Sequence, residues 1–264
     1  IYVNEEEQSL LPHLFEKVVD ECARNEAPQL NLNNYGEPLM DKTLPQKIRY
    51  AKEKGIPTVQ FFTNGSMLTR AKGKTLIESG LDILKISLDG ISKETFETVR
   101  TPLKYDRVTG HVLDFMKLKQ EMGTTKPRVG VGLIEMDNNY QDISLFRKFW
   151  ESHADFVDIG FHFNRADSTP DRRVKNNLAL NRRSPCSLLW MTVSILPNGD
   201  VIPCCHDVYG TLVLGNVSAR SLREIWHDAE AERLRNLHMD KRWNEIPTCA
   251  NCDAPSNPQN PWWW

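Results

Sequence analysis

A short strand-like run followed by a helical pattern occurs five times in the first 165 residues, and this alternation constrains the fold more than any other feature. The strand-like runs cover residues 29–33, 58–63, 83–88, 128–134 and 156–163, and the helical patterns cover roughly 8–25, 43–54, 69–79, 105–122 and 140–152. Strand followed by helix, repeated, predicts right-handed βα units on a parallel sheet. Five units are too few for a closed eightfold barrel, so we expect a curved, open barrel.

The inner face of this barrel is predicted to be polar or small. Side chains alternate across a strand, and the residues opposite the apolar positions are Asn31 and Asn33, Lys85, Ser87 and Asp89, Gly130 and Gly132, and Asp158, Gly160, His162 and Asn164. Each buried polar group that lacks a partner would cost about 1–3 kcal/mol. We therefore expect the barrel to hold a polar ligand along its axis.

Glycine-containing turns follow three successive strands, at 34–38, 64–66 and 89–90. Any one of them alone is only a turn signal. In parallel α/β folds, however, ligands bind at the carboxyl ends of strands, where glycine lets the backbone approach the ligand. Three such turns in succession favour a ligand site at this edge.

The 264 residues carry 33 Lys and Arg against 35 Asp and Glu, a formal charge of −2, which argues against sequence-independent nucleic-acid binding. The longest nearly uncharged stretch, 184–198, is too short to span a bilayer. The start has neither a basic region nor an apolar region of a signal peptide, so we expect a cytoplasmic protein without membrane contact. Because there is no initial Met, we also expect the sequence to be a fragment.

Five of the six cysteines lie in the last third of the chain, which is unlike a secreted disulfide scaffold. Cys22 lies alone in an amphipathic helical pattern, which is typical of a buried thiol. Residues 191–196 and 201–203 predict a β-hairpin around an Asn-Gly turn, and 218–237 predict a helix capped by Ser218. Around these elements lie Cys186, Cys204, Cys205, Cys249 and Cys252. Four thiolates suit a structural zinc or an iron–sulfur cluster, with Cys204 as ligand and Cys205 pointing outward.

These motifs together resemble a known family. Asn34-Tyr35-Gly36-Glu37-Pro38-Leu39, Thr63-Asn64-Gly65 and Lys85-Ile86-Ser87-Leu88-Asp89-Gly90 are similar to the core of the radical S-adenosylmethionine (SAM) enzymes. Cys186-x12-Gly199-x4-Cys204, Leu214-Gly215-Asn216-Val217 and Ser221-Leu222-Arg223-Glu224-Ile225-Trp226 are similar to the SPASM/twitch module of many of them. The resemblance implies an α/β fold with three parts. They are a partial (β/α)6-type open barrel lacking its first strand (1–165), a linker (166–185) and a small α+β SPASM/twitch iron–sulfur module (186–264).

The resemblance also implies the site residues. SAM would be bound by Tyr35, Gly36, Glu37, Pro38, Asn64, Ser87, Asp89, Arg100 and Ile134, with Ile134 near the adenine. An auxiliary [4Fe-4S] cluster would be held by Cys186, Cys204, Cys249 and Cys252. No cysteine follows Cys252, so the one-cluster twitch form fits better.

The implied activity is that of a radical SAM oxidoreductase. Such an enzyme generates a 5′-deoxyadenosyl radical that takes hydrogen from a small alcohol or sugar, or from a peptide side chain, and receives electrons from a donor such as flavodoxin or ferredoxin. The sequence does not contain the family's CxxxCxxC, which binds a second, SAM-cleaving [4Fe-4S] cluster. We expect that motif upstream in the parent protein, so that this chain alone does not cleave SAM.

His162 and Asn164 are candidate substrate contacts, although His162 could equally be a hydrogen-bonded core histidine. Cys205 stands where the sulfatase-maturing branch has an acid that serves as base, and it is the third catalytic candidate. The alternative to an enzyme is a non-catalytic scaffold with a structural zinc that recognises a partner through Trp262–Trp264.

Overall fold

The computed structural model describes residues 9–164 and 183–254. The chain divides into two compact units: Cys22–Gly160, here the strand unit, and Ile1–Glu21 together with Phe161–Trp264, here the cysteine unit. Most of the predicted linker and the terminal Trp262–Trp264 lie outside the described residues. Within the described part, no helix combines the length and apolar character that crossing a bilayer requires.

The strand unit is built on five strands that follow one another in chain order across one sheet. They are β1 (Gln29–Asn31), β2 (Thr58–Thr63), β3 (Ile83–Ser87), β4 (Arg128–Glu135) and β5 (Phe156–Phe161). The pairs β1–β2, β2–β3 and β3–β4 are parallel, with Leu84 opposite Val129 in the last of them. The predicted α/β fold with a parallel sheet is confirmed.

The helices of this unit lie between the strands, as the periodicity predicts. They are α1 (Pro12–Arg24, which the unit boundary divides), α2 (Leu44–Glu53), α3 (Arg70–Glu78), α4 (Lys93–Val99), α5 (Tyr105–Glu121) and α6 (Ile143–Trp150), the last preceded by a 3-10 turn over Tyr140–Asp142. The sequence analysis missed α4, which is only seven residues long. Its N-terminus is formed by Ser92, whose Oγ accepts a hydrogen bond from the Thr95 N–H at 3.1 Å.

The apolar strand faces form the core, as expected from the alternation. Leu84, Ile86 and Leu88 of the third strand segment are at most 1% exposed, and Val129 and Val131 of β4 are fully buried. Large aromatic side chains are also fully buried: Phe96, Phe115, Phe146 and Trp150. Burial of this apolar surface is the main stabilising contribution to the unit.

At the amino-terminal edge of the sheet, two aspartates make the same set of contacts, each to a backbone N–H and to a lysine. Asp82, one residue before β3, accepts hydrogen bonds from the Val59 N–H at 2.9 Å and from Lys52 Nζ at 2.6 Å. Asp155, one residue before β5, likewise binds the Val129 N–H and Lys119. Each carboxylate thus joins the start of its own strand to another strand and to a preceding helix. Asp82 additionally accepts from Lys126 at 2.6 Å.

The cysteine unit contains a small antiparallel sheet and short helices. Its elements are α7 (Leu188–Met191), β6 (Ser194–Ile195), β7 (Asp200–Ile202), β8 (Gly215–Asn216), α8 (Leu222–Trp226), α9 (Ala229–Met239), a 3-10 turn (Trp243–Glu245) and α10 (Pro247–Ala250). The predicted hairpin is present as β6–β7, shortened because Met191 ends α7. The third strand, β8, was not predicted.

The single helix predicted over 218–237 is wrong, and so is its cap at Ser218. Ser221 caps α8 through a capping box with Glu224, and Asp228 caps α9, so two helices replace one. Asp228 accepts from the Glu230 N–H at 3.0 Å, which starts a new helix where a continuous pattern had been expected.

Helix α1 explains why the first residues group with the cysteine unit. Lys17 Nζ donates to the carbonyl oxygens of Val217 at 2.5 Å and Arg220 at 3.1 Å. Glu21, only 6% exposed, accepts the N–H of Leu222 at the start of α8. A carboxylate at a helix N-terminus satisfies a donor that lacks a partner within the helix.

Candidate cofactor sites

The loop after β1 is anchored by the carboxylate of Glu37. Its Oε1 accepts from Thr63 Oγ1 at 2.6 Å and from the Leu39 N–H at 3.1 Å, and its Oε2 accepts from the Asn64 N–H at 2.8 Å. Gly36, directly before it, has the left-handed φ of 90° and is exposed, with open space where a Cβ would lie. The carboxylate therefore fixes an accessible backbone segment to the carboxyl end of β2.

Asn64 and Gly65 form the turn after β2. Asn64 Oδ1 accepts from the Ser66 N–H at 2.9 Å, which closes the turn. Gly65 also has a left-handed φ, of 72°, and a Cβ there would lie 3.1 Å from Val108 and 3.2 Å from Ile86. Only glycine tolerates both this left-handed φ and the short distances to Val108 and Ile86.

Asp89 connects the ends of β3 and β4. One carboxylate oxygen accepts the Ile134 N–H at 2.7 Å, and the other pairs with Arg100. Its backbone has a left-handed φ of 58° and its side chain is buried. The structure thus brings together three of the predicted SAM residues, and the contacts show that Asp89 orients the other two.

Asn139 is a residue of this edge that the sequence analysis missed. It is 1% exposed and donates to the carbonyl oxygens of Asp89 at 3.0 Å and Ile134 at 2.9 Å, while it accepts from the Met136 N–H at 2.7 Å. The signal available was an Asn pair, Asn138-Asn139, which begins three residues after β4 ends at Glu135. Such a pair predicts a turn and does not show which side chain turns inward.

Most of the inner polar groups have partners within the sheet, which corrects the expectation that a ligand must satisfy them. Asn31 Oδ1 accepts from Gln60 at 2.7 Å, and Asn33 Oδ1 accepts from the Phe62 N–H at 2.9 Å. Lys85 pairs with Asp158 at 3.1 Å. Partners from other strands of the same sheet supply what a single strand's pattern leaves open.

Lys85 also lies near two aromatic rings, with its Nζ 5.3 Å from the centroid of Phe62 and 5.6 Å from that of Phe156. The Phe156 ring fills the space beside Gly130, where a Cβ would come within 2.3 Å of it. At this level the barrel interior is therefore packed. Gly132, further along β4, has no atom closer than 3.8 Å to its Cβ position.

Polar atoms without partners remain at the carboxyl edge and test whether a polar ligand fits. Both amide atoms of Asn34 are buried and have no hydrogen-bond partner among the described residues, and the same is true of Arg100 Nε. Ser87 and Tyr35 are half-buried in the same loops and strands. A ligand rich in hydrogen-bonding groups, such as SAM, fits this edge because buried polar atoms require partners.

The cysteine site lies within the cysteine unit. Cys186 precedes α7, Cys204 follows β7, and Cys249 and Cys252 lie in and after α10. No disulfide joins any of the six cysteines, and Cys205 is exposed while the other four of this unit are half-buried. Within the described residues, no three or more His, Cys, Asp or Glu side chains already surround a point where a single ion would bind.

The thiols nevertheless influence one another. Burial raises the pKa of Cys186 to about 11 and that of Cys249 to about 12, and each is raised further by Cys252. Burial also raises the pKa of Cys204, to which Cys205, Cys186 and Cys249 contribute. With these raised pKa values the thiols stay protonated at neutral pH, and they would ionise only beside a positive centre, such as the iron of a cluster.

The segments that carry the cysteines are tied together. Cys186 N–H donates to His238 Nδ1 at 3.2 Å, and burial, with Arg183 nearby, lowers the pKa of His238 to about 4, so that the ring is neutral. Asp207, 2% exposed, accepts from Thr211 N–H at 2.9 Å, and the Thr211 hydroxyl lies 2.7 Å from that of Thr248. These contacts orient the backbone that holds the thiols.

The structure places the three catalytic candidates differently. Asn164 donates its amide to the carbonyl oxygen of Asn251 at 2.6 Å, and its N–H binds Asp253 at 3.0 Å, so its side chain supports the CxxC segment. This contact argues against the predicted substrate role of Asn164. His162 directly follows β5 and is half-buried, and Cys205 is exposed. Their catalytic roles stay predictions.

Residues 186–253 match the family model of SPASM, described as an iron–sulfur cluster-binding domain. Over nearly the whole chain, the sequence is similar to the S-adenosyl-L-methionine-dependent 2-deoxy-scyllo-inosamine dehydrogenase of Niallia circulans, with 23% identity over 93% of this chain and 81% of that protein. These matches support a radical SAM enzyme that carries a SPASM domain. SAM and an iron–sulfur cluster are the cofactors of this family.

Other relatives of this radical SAM protein agree. The tungsten-containing aldehyde ferredoxin oxidoreductase cofactor-modifying protein of Pyrococcus furiosus is 22% identical over 94% of this chain and 80% of its own length. Among solved structures, anSMEcpe with bound AdoMet matches with a TM-score of 0.65, 14% identity, and coverage of 98% of this chain and 86% of that one. BtrN in complex with AdoMet and 2-DOIA matches with a TM-score of 0.59, 18% identity, and coverage of 95% and 83%. These structures show the fold.

Proposed function

We propose that this radical SAM protein dehydrogenates a small hydroxylated molecule, with SAM at the carboxyl edge of the sheet and an auxiliary [4Fe-4S] cluster on Cys186, Cys204, Cys249 and Cys252. The observation that carries the proposal is the set of four half-buried cysteines, joined by no disulfide, within the segment 186–253 that is matched as iron–sulfur-binding.

The strand unit supplies the residues that would hold SAM. The Glu37 carboxylate keeps the backbone at Gly36 in place, so that a backbone carbonyl oxygen there can accept a hydrogen bond from the amino group of the SAM methionine. The pair Asp89–Arg100 and the Ile134 backbone form one hydrogen-bonded unit that orients Ile134 toward the adenine. Asn34 and Ser87 are polar groups at the same edge, and Asn34 has both amide atoms available to a ligand.

Bound together with the reducing cluster of the family, SAM would supply the radical chemistry for removing a hydrogen atom from a substrate carbon. Oxidation of an alcohol to a carbonyl then requires loss of the hydroxyl proton and of one further electron. The four-cysteine segment is where the chain can hold an acceptor for that electron. A low-potential donor such as flavodoxin or ferredoxin, and a cytoplasmic location, belong to the same proposal.

The choice of a small hydroxylated substrate over a peptide rests on relatedness. The Niallia circulans protein, matched over 93% of this chain, is named for an aminocyclitol, 2-deoxy-scyllo-inosamine. SuiB, crystallised with its precursor peptide, is matched with 13% identity and shares the fold. The test therefore compares an aminocyclitol with a short peptide as ligands of the SAM-loaded chain, using saturation-transfer NMR. Saturation of the aminocyclitol is expected, and saturation of the peptide alone would move the substrate class to peptides.

The metal assignment is tested by anaerobic reconstitution followed by iron, sulfide and zinc analysis. About four iron and four sulfide per chain are expected for the unsubstituted 264-residue chain. Alanine at Cys186, Cys204, Cys249 or Cys252 should remove most of this content, whereas C22A and C205A are matched controls that should retain it. One zinc per chain without sulfide would instead support the scaffold interpretation.

A further inference from the structure

Arg183 lies against the segment that carries two of the proposed ligands. Its Nη1 donates to the carbonyl oxygen of Ala250 at 3.1 Å, and its Nη2 donates to that of Cys249. The guanidinium carbon is 4.8 Å from the centroid of the Trp243 ring, a cation–π distance. Two directional hydrogen bonds and one stacked face thus fix the orientation of the group.

The charge of Arg183 is not well solvated. Its Nε is buried and has no hydrogen-bond partner among the described residues. Burial lowers the pKa of Arg183, while Cys252, Cys249 and Cys186 act to raise it, ahead of Asp253. Once ionised as ligands of a cluster, these cysteines would therefore be the chief anionic groups that compensate the guanidinium. An arginine stays protonated in such a place because its intrinsic pKa is so high.

A cluster with four thiolate ligands is a net anion, and it gains one more negative charge when it takes up one electron. A fixed cation nearby stabilises the reduced form more than the oxidised form and so raises the reduction potential. Net charge and hydrogen bonding around the cluster are established determinants of iron–sulfur potentials. Arg183 contributes the charge, and its hydrogen bonds hold the backbone of the proposed ligand Cys249.

We propose that Arg183 is a positioning residue of the auxiliary iron–sulfur site, which holds the Cys249–Ala250 backbone and raises the reduction potential of the cluster through its fixed positive charge. The proposal rests on the ligand assignment made under the proposed function. It concerns a residue outside the cysteine motif, and a role in setting potential distinguishes it from a residue needed only for folding.

The test is a dithionite titration of the reconstituted 264-residue chain, followed by EPR of the reduced cluster, with iron and sulfide measured for every variant. R183Q should lower the equilibrium constant for one-electron reduction at least tenfold, a shift of about 59 mV. R183K keeps the charge, so its reduction potential should stay close to that of the unsubstituted chain. R242Q is the matched control, since Arg242 is exposed and paired with Glu245, and it should leave the potential unchanged.

The outcomes separate the two proposals. If the unsubstituted chain holds no iron and sulfide after reconstitution, the ligand assignment itself is wrong. If the unsubstituted chain and R183Q both hold the cluster and have equal reduction potentials, only the role of Arg183 is overturned. If R183Q fails to load but R183K loads, the charge is needed to assemble the thiolates and the proposal stands. If neither loads while R242Q does, the planar guanidinium is a purely structural brace and the electrostatic role is refuted.

Discussion

Glu37→Gln tests whether the carboxylate at the first loop organises the SAM edge. Glu37 accepts three hydrogen bonds, two of them from backbone N–H groups of Leu39 and Asn64. A glutamine has nearly the same shape but only one acceptor oxygen, so its NH₂ must face one of the two backbone donors in either orientation. One charge-assisted bond is lost and one half-buried N–H is left without an acceptor.

The expected cost is about 1–3 kcal/mol of unfolding free energy, the range for a buried donor that loses its acceptor. For a chain of this size that corresponds to a melting temperature lower by roughly 2–4 °C per kcal/mol. Because the affected segment carries Gly36, SAM affinity should also fall by about tenfold, equivalent to roughly 1.4 kcal/mol.

The assay combines thermal unfolding with isothermal titration of SAM into the anaerobically prepared chain. Glu53→Gln is the matched control, since Glu53 ends α2 on the exposed surface and undergoes the same chemical change. It should alter neither quantity. If E37Q melts and binds SAM like E53Q, the carboxylate does not position the loop and our account of this edge is wrong.

Two further predictions concern the strand unit. Gly130→Ala should lower the free energy of unfolding by about 1–3 kcal/mol, because its Cβ would come within 2.3 Å of the Phe156 ring. Gly110→Ala, in open space on α5, should raise it by roughly 0.5–1 kcal/mol. Urea unfolding measures both changes. Burial opposes the charge of Asp82, but hydrogen bonds from two lysines and a backbone N–H outweigh it and hold its pKa below the usual value. Its stabilising contribution is therefore complete above the unfolded pKa of about 3.9 and is lost as the pH falls through the lower folded pKa, so Asp82→Asn should flatten the stability profile in that window.

Periodicity and spacing alone determined much of this protein. The strands at 58–63 and 83–87 lie where the sequence predicts them, because a short run of strand-forming residues bounded by turns is a local feature of the sequence. The cysteine spacing with Gly199 and the GEP-type loop identified the family before any coordinates, since both motifs are local. The glycine-containing turns at 34–38, 64–66 and 89–90 are local signals of the same kind.

Tertiary structure alone decided which polar groups meet. The inner polar face predicts a hollow that a ligand must satisfy, yet Lys85 pairs with Asp158 two strands away, and Asn31 bonds Gln60 on the neighbouring strand. The grouping of α1 with the cysteine unit depends on Lys17 and on carbonyl groups 200 residues away in the chain. Arg183 falls within the predicted linker, and only the tertiary structure brings it against the carbonyl group of Cys249. Such pairings depend on strand register and packing, which no window of neighbouring residues records, because they are decided by contacts between segments distant in the chain.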